Sequence, residues 1–381
     1  MLFVTRWFGV TATDADRDAA REQSEIEQIT QRSLLIQRNA AAQQQRALGR
    51  GTHAKGVCAR AQFEVLDVTV GREPALAARL AKGIFARPGL YPAVVRFGNA
   101  DPKKNSDFKP DVRSLSFSVE TNSERTSASD ANVGRQDFSM QNARTLPIND
   151  SSAFLALFKL LTASNPAACL WSLRFRDKLR VLRALSLTGP QMLQGIKPYQ
   201  QLRYWSTVPF RHGPSDVVMY SAIPSAHNSA RPLQRKNPNG LQDELSRHLQ
   251  VDAKMSSFDL AVQFLDADGM TYWGKRRDAN FWIENASIKW SEAQAPFHIV
   301  ARLTLLPKSQ LLPDVAEAIY FDVTGNSTPD SKPVGSVNRT RWPAEIASRK
   351  ARMAQTAVAA LDRRYADQGN WDTGGKQAPF P

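Results

Sequence analysis

The chain has 381 residues, 42% hydrophobic and 23% charged, an ordinary globular composition that excludes a fibrous or disordered protein. Fifty basic against 36 acidic residues give a net charge of +14 at pH 7, which fits a solvated basic surface, a polyanionic partner or an anionic cofactor. The sequence has two cysteines and no cysteine–histidine spacing typical of zinc sites, so neither a disulfide framework nor a structural zinc site is expected.

The N-terminal segment MLFVTRWFGV is apolar but is interrupted by Thr5 and Arg6. It lacks a preceding basic segment, which makes it a poor signal peptide, and no run of about 18 apolar residues predicts a membrane-spanning helix. We therefore expect no integral membrane segment and a cytoplasmic location. Residues 13–48 contain no proline or glycine and are rich in Ala, Gln, Arg and Glu, which predicts an N-terminal helical arm over residues 1–48.

The rest of the chain alternates between strand-like and helical segments. A cluster of capping residues at 149–151 predicts a helix over residues 149–164, and residues 166–201 form a less regular helical stretch. A long helix is predicted from Pro343 to about Tyr365, followed by a flexible tail over residues 367–381. β-rich alternation predicts strands in six places, at residues 57–70, 91–99, 111–120, 216–223, 258–266 and 297–306.

His53 lies in the segment RGTHAKG and, by itself, would more often be a turn residue than a functional one. Its context changes that interpretation, because six segments follow one another in a recognisable order. They are HAKG (53–56), AVVRFGNAD (93–101), DVRSLSFSV (111–119), QDFSMQNARTLPIND (136–150), YWSTVPFRHG (204–213) and PVGSVNRTR (333–341). In this order the sequence resembles the catalase superfamily, in particular its small single-domain members, from about Arg50 to Arg352.

The resemblance implies an α+β fold, with a catalase-like antiparallel β-barrel core, helical insertions and a long C-terminal helix. It places a heme-binding domain at residues 49–366 and implies heme b as the cofactor. The implied function is a peroxide-consuming oxidoreductase, a catalase or a peroxidase, with a small peroxide as substrate. The absence of a flavodoxin-like extension suggests a more open pocket, which would favour bulkier organic hydroperoxides.

On the peroxide side of the heme, the resemblance implies that His53 moves a proton between the peroxide oxygens as a general acid and base. The amide that holds the peroxide is Asn142 or its neighbour Gln141, and the choice stays open. Phe154 either stacks near the heme or is an ordinary helix core residue. The family's serine after V-R-F, which orients the histidine, is replaced here by Gly98.

The resemblance also implies that Arg50, Arg96 and Arg352 pair with the heme carboxylates, for which bidentate guanidinium groups are suited. On the opposite side the family pattern is R-x-x-x-Y, in which the tyrosine binds iron. Arg341 matches the arginine, but the ligand position holds Glu345. Glu345 could bind iron through a hard oxygen; alternatively another tyrosine serves, although Tyr365 is too far along the helix, or heme binding is weak or lost.

Two other functions compete with the peroxide-consuming enzyme. One is a catalase fold that binds a lipid or another ligand without redox chemistry, and the substitution at Glu345 favours it. The other is a nucleic-acid-binding protein, which only the net charge supports, because no recognition motif and no basic stripe with interleaved aromatic residues occur. We therefore expect no nucleic-acid partner.

Overall fold

A computed structural model describes residues 15–121, 134–192, 196–234 and 236–355 of the chain. The predicted tail at 367–381, the distant Tyr365 and most of the Ser-rich segment at 121–135 lie outside these residues. The predicted N-terminal arm contains one long helix, α1 (Ala15–Gln43).

Six strands of the main sheet occur where β-rich alternation predicts them, and three further strands, at residues 135–141, 204–205 and 210–212, lie outside those predictions. In chain order the strands of this sheet are β1 (Gly56–Val65), β2 (Gly89–Asn99), β3 (Arg113–Glu120), β4 (Arg135–Gln141), β5 (Tyr204–Trp205), β6 (Phe210–His212), β7 (Asp216–Pro224), β8 (Ser256–Phe264) and β11 (Phe297–Gln310). A separate two-stranded hairpin consists of β9 (Thr271–Tyr272) and β10 (Lys275–Arg276).

The helices lie between and around these strands. After α1 they are α2 (Pro74–Leu80), α3 (Ser151–Leu161), α4 (Pro166–Ser172), α5 (Phe175–Met192), α6 (Gly240–Ser246), α7 (Ala279–Glu284), α8 (Pro313–Ala318) and α9 (Ser336–Gln355), with a π-helical turn at Arg247–Val251. Asp150 caps α3 by accepting a hydrogen bond from the backbone N–H of Ala153 at 2.8 Å, as the capping cluster predicts.

Eight of the strands close into an antiparallel β-barrel, which confirms the predicted fold class. The strand order is β5-β4-β3-β2-β1-β11-β8-β7, and β5 pairs with both β4 and β7. In β5, Trp205 pairs with Gln141 on one side and with Ser221 on the other, so this two-residue strand completes the ring. Closure leaves no free edge between the first and last strands of the ring.

Aromatic side chains fill the barrel. Phe117 and Phe138 stack at 4.6 Å between ring centroids, and Phe63 packs against both. Side chains alternate between the two faces of a strand, so the residues between these aromatics point out of the barrel. On β3 the outward residues are serines, and the outer face is itself mostly covered. That covered outer face forms one wall of the site.

The C-terminal helix differs from its prediction. α9 begins at Ser336, seven residues before Pro343, so the predicted start at Pro343 is wrong and the proline lies inside the helix. Glu345 is consequently in the third turn of α9 and not in a first turn where acids are favoured by the helix dipole. Helix α9 packs against α1 and α3. The three helices form the second wall of the site.

Candidate functional site

A cavity of about 830 Å³ lies between the outer face of the barrel and the helices α1, α3 and α9. Its volume falls in the range of pockets that hold small molecules and cofactors, about 300–1,000 Å³. Both walls contribute predicted site residues. His53, Arg50, Arg96, Gln141, Phe154, Arg341, Glu345 and Arg352 all line it.

The barrel wall presents a row of polar side chains across three strands. Arg96 on β2 pairs with Ser116 on β3, which pairs with Ser139 on β4. All three line the cavity, and Gln141 lies two residues beyond Ser139 on the same face. Strand alternation therefore directs this row outward while Phe97, Phe117 and Phe138 point into the barrel.

The two candidate amides are used differently. The carboxamide oxygen of Asn142 accepts a hydrogen bond from the backbone N–H of Arg113 at 2.7 Å, and its own backbone N–H donates to the Arg113 carbonyl at 2.8 Å. Asn142 is buried in this pairing, whereas Gln141 lines the cavity. Of the two, the structure places Gln141 where a ligand could reach it.

His53 sits in the loop that precedes β1, with a left-handed backbone conformation (φ 54°). Its backbone N–H donates to the carbonyl of Ala100 at 3.1 Å, and its carbonyl accepts from Nη2 of Arg96 at 2.7 Å. A non-glycine residue held in this region is under local strain, which surrounding contacts must stabilise. These two hydrogen bonds, to Arg96 on β2 and to Ala100 just after it, fix the position of His53 beside the cavity.

The imidazole of His53 is neutral at physiological pH. Burial lowers its pKa to about 3, and the charges of Arg96 and Arg50 lower it further, with a small opposing effect from the Asn99 backbone. Its Nδ1 is buried and makes no hydrogen bond of good geometry with any described residue. The neutral imidazole leaves a ring nitrogen free to accept a proton, but a pKa this low makes it a weak base, and an anion bound in the cavity would strengthen it by offsetting the arginine charges.

Gly98, which replaces the family's orienting serine, has no room for a side chain. A Cβ there would lie 2.8 Å from Nη1 of Arg96 and 2.8 Å from the Lys55 carbonyl oxygen. The close packing of Arg96 therefore explains the glycine. Position 98 therefore offers no side-chain hydroxyl that could orient the His53 ring.

Arg50 belongs to a group of buried cations. Its Nη2 donates to the carbonyls of Ala316, at 3.1 Å, and Ile319, and its Nε is buried without a hydrogen-bond partner among the described residues. Burial lowers the pKa of Arg50 to about 9, and the nearby charges of Arg96 and Arg352 contribute. Arg352 itself is buried and donates to the carbonyl of Glu317. Such a group would be stabilised by an anion in the cavity.

The helical wall presents Arg341 and Glu345 one turn apart on α9, with Nε of Arg341 3.7 Å from Oε1 of Glu345. Nε and Nη2 of Arg341 are buried and make no hydrogen bond to a described residue. The Glu345 side chain is 47% exposed and lines the cavity. Burial raises its pKa, the nearby Asp322 adds to this rise, and Arg341 opposes it.

Helix α3 contributes the apolar part of the cavity. Phe154 lines it and packs edge-on against Phe158 at 4.5 Å between ring centroids. Leu157 and Leu161 continue this surface toward the C-terminal end of the helix. The cavity thus combines an apolar side with several guanidinium groups, a composition that suits an amphipathic anion.

Sequence reasoning missed Tyr320, which lines the cavity after α8. The guanidinium carbon of Arg349 lies 4.1 Å from the centroid of its ring. Neighbouring Asp322 accepts a hydrogen bond from the indole of Trp342 at 3.1 Å. None of the six recognised segments includes residues 320–322, and only tertiary packing brings them to the site.

Comparison with solved structures identifies the architecture. The chain is similar to a bacterial catalase (TM-score 0.57, 16% identity), with 89% of this chain and 60% of that chain covered. A fungal catalase has a TM-score of 0.55 and 15% identity, with 88% of this chain and 62% of that chain covered. Catalase A from Saccharomyces cerevisiae has a TM-score of 0.54 and 15% identity, with 88% of this chain and 63% of that chain covered.

The chain has a catalase-like fold. At this identity the likeness shows the fold alone, and the chain spans only 60–63% of the length of these catalases. No protein-family model and no curated protein sequence matches the chain. Within the described residues, no helix is long and apolar enough to span a bilayer. The same residues contain no group of three or more His, Cys, Asp or Glu side chains that could hold a metal ion.

Heme can be tested against the residues that line the cavity. Buried nitrogens of Arg50 and Arg341 make no hydrogen bond to a described residue, although Nε of each lies 3.7 Å from a glutamate oxygen, of Glu317 and Glu345 respectively, and such donors suit the carboxylates of an anionic cofactor. Gln141 and His53 offer polar atoms to a ligand beside it. Glu345 offers a carboxylate oxygen, a hard ligand for ferric iron, where a phenolate would be expected. The donor set therefore fits heme, with a different iron ligand.

Proposed function

We propose that this chain is a heme-dependent, peroxide-consuming oxidoreductase, acting on hydrogen peroxide or an organic hydroperoxide. One observation carries the proposal. A buried neutral histidine shares a single cavity with an amide side chain and with guanidinium groups that have buried nitrogens without a hydrogen bond to any described residue. Perturbed titratable groups that converge in a cavity are typical of functional sites.

The residues would divide the work as follows. Arg50 would hold a heme carboxylate together with Arg96 and Arg352. Arg341 would favour the charged form of the neighbouring Glu345 carboxylate, and Glu345 would bind the iron. When bound, the heme iron supplies the redox chemistry that cleaves a peroxide O–O bond. His53 would accept the proton of a peroxide hydroxyl on its ring nitrogen, because the imidazole is neutral above a pKa of about 3. The Gln141 carboxamide would hold a peroxide oxygen by a hydrogen bond.

The test of the proton-transfer role is peroxide turnover by heme-reconstituted protein. His53→Gln should lower kcat by about 100-fold or more, the usual contribution of a positioned general base, with heme content unchanged. The matched control is His227→Gln, an exposed histidine outside the cavity, which should turn over peroxide normally. Full turnover by His53→Gln would remove His53 from the mechanism.

The iron ligand can be identified by spectroscopy. Glu345→Ala should shift the absorption bands of the ferric heme, since it removes the ligand. Tyr320→Phe removes the tyrosine that lines the cavity and should leave the bands in place. If Tyr320→Phe shifts the bands and Glu345→Ala does not, the tyrosine is the ligand.

A second candidate function is binding of an amphipathic carboxylate without heme. The glutamate at position 345, where the resemblance implies an iron-binding tyrosine, favours it. The apolar side formed by Phe154, Leu157 and Leu161 also suits an alkyl chain. Calorimetry with dodecanoate tests this function: binding in heme-free protein that Arg341→Met weakens would support it, and absence of binding would rule it out.

A further inference from the structure

The structure carries a second surface that the cavity does not explain. Helices α4 and α5 expose a continuous set of large apolar side chains to solvent. Trp171, at 84% exposure, begins the set near the end of α4. The other members are between 48% and 74% exposed. They are Phe175, Leu179, Leu182 and Leu185 on α5, and Leu161 at the end of α3.

The positions on α5 follow a helical stripe. Phe175, Leu179 and Leu182 are spaced by four and three residues and therefore share one face. Val181 and Ala184 are buried and lie on the opposite face, against the body of the protein. The solvent-facing side of this helix is thus its apolar side, the reverse of an ordinary surface helix. Scattered exposed leucines need no explanation, but a contiguous stripe marks an interaction surface.

Basic side chains border the stripe. Arg176 and Arg183 lie on one side of it and Lys178 on the other, by helical position at 100° per residue. Nζ of Lys178 is 5.1 Å from the ring centroid of Trp171, so the cation lies directly beside the apolar surface. Residues 159–183 contain six basic side chains and one acidic residue, Asp177. Asp177 is buried and pairs with Arg174 at 3.0 Å and Arg180 at 2.9 Å.

We propose that the α4–α5 surface docks on an anionic phospholipid bilayer, with Trp171, Phe175, Leu179 and Leu182 entering the interface and the basic border contacting lipid phosphates. An apolar helical face flanked by Lys and Arg is the arrangement that lies in the plane of a membrane interface. The net charge of +14 adds long-range attraction to such a surface. The bilayer would be contacted from one side, since no described helix can span it.

Charge argues against a second copy of this chain as the occupant. A two-fold dimer through this surface would bring each basic border close to its own symmetry mate, because such an interface pairs a patch with itself. Like charges facing each other across an interface are unfavourable. An anionic lipid surface neutralises them instead.

The surface also reaches the cavity. Leu161 lines the cavity and is exposed beside α4, and α3 packs against both α4 and α5. Docking would bring this side of the cavity close to the lipid. A peroxidised acyl chain is therefore a substrate that the site could receive from the bilayer. This choice of substrate rests on the proposed function, whereas the docking of the surface on a bilayer does not.

Co-sedimentation with vesicles tests the docking. The full chain should bind vesicles of phosphatidylcholine with 30% phosphatidylserine, and should bind pure phosphatidylcholine vesicles at least about tenfold less. Sodium chloride at 0.5 M should release it from the anionic vesicles, because the Debye length falls from about 10 Å at 0.1 M salt towards about 3 Å at 1 M. Phe175→Ser with Leu179→Ser should lower the bound fraction about tenfold or more, since each removes an apolar side chain that would enter the lipid interface. Lys178→Glu with Arg176→Glu should have a similar effect on anionic vesicles.

The matched control is Trp273→Ser, compared with Trp171→Ser. Both tryptophans are highly exposed, at 88% and 84%, but Trp273 lies in the β9–β10 hairpin, away from this surface. Only Trp171→Ser should lose vesicle binding, and light scattering should show the same mass for both variants and the unaltered chain. Equal vesicle binding by all variants would overturn the proposal. So would a dimer that Phe175→Ser and Leu179→Ser dissociate, with no vesicle binding by the unaltered chain. Neither result depends on heme or on turnover.

Discussion

The two walls of the cavity are held in different ways. On the barrel wall, hydrogen bonds and an ion pair hold the backbone around His53: Arg96 donates to the His53 carbonyl, and Lys55 forms a buried ion pair with Asp107 at 2.8 Å. On the α9 wall, Arg341 has two buried nitrogens without hydrogen bonds and Glu345 projects into the cavity. The barrel wall is held in place before any ligand binds. The α9 wall still has hydrogen-bond donors on Arg341 and an acceptor on Glu345 that a ligand could use.

The largest effect should come from breaking the barrel wall. Asp107 is fully buried and accepts hydrogen bonds from Nδ2 of Asn99 at 2.8 Å and from the backbone N–H of Leu241 at 2.9 Å, besides its pairing with Lys55. Asp107→Ala leaves the Lys55 ammonium buried without its carboxylate. We expect the free energy of unfolding, measured with urea, to fall by about 3–5 kcal/mol.

The control for that change is Asp216→Ala, which removes an ion pair of similar length, 2.8 Å, formed with a half-exposed Arg79. An exposed pair contributes less than about 1 kcal/mol. If the two variants lost equal stability, the barrel wall would not have the organising role assigned to it.

The two walls should also respond to pH with opposite signs. For His53, the pKa falls from 6.5 when unfolded to about 3 when folded, so the unfolded chain binds more protons and stability is lost as the pH falls below 6.5. For Glu345, the folded pKa is raised above 4.5, so the folded chain binds more protons and stability is lost as the pH rises above 4.5.

Urea unfolding between pH 4 and pH 8 separates these two effects. His53→Gln should flatten the loss of stability on the acid side, and Glu345→Gln should flatten the loss as the pH rises from about 4.5. Unchanged slopes in both variants would show that neither group is held in the protonation state described here.

The smallest effect concerns Arg341. In ligand-free protein two buried nitrogens of Arg341 make no hydrogen bond to a described residue, and its ion pair with the half-exposed Glu345 contributes little, so Arg341→Met should change the free energy of unfolding by less than about 1 kcal/mol and in the stabilising direction. Arg113→Met is the comparison on the barrel wall, because Nη2 of Arg113 donates to the Asp107 carbonyl at 2.6 Å and its loss should destabilise. Equal destabilisation by both variants would remove the contrast between the walls.

Much of the fold could be predicted from the sequence, but the site only in part. The alternation in VVRFGN and RSLSFSVE gives both the strands and the side of the barrel on which Arg96 and Ser116 lie, because a strand turns each successive side chain to the other face. The sequence predicts that α9 begins at Pro343, because proline is typical of a first helical turn. The helix instead begins at Ser336 and continues through Pro343 while it packs against α1.

Other features depend on contacts between distant segments. The choice between Gln141 and Asn142 needed the hydrogen bond from Arg113 to Asn142. Tyr320 reaches the cavity only through packing beside Arg349. The exposed apolar side of α5 could not be distinguished from a buried one by periodicity alone, since the same stripe could face either the body or solvent.

Equilibrium titration of the purified, heme-free protein with ferric heme tests the central claim most directly. We expect one heme per chain, a Soret absorption band that saturates at that ratio, and weaker binding in Arg341→Met with an unchanged circular dichroism spectrum. A folded protein that gains no Soret band, or one that binds heme equally well without the Arg341 guanidinium, would contradict the assignment of this cavity to heme.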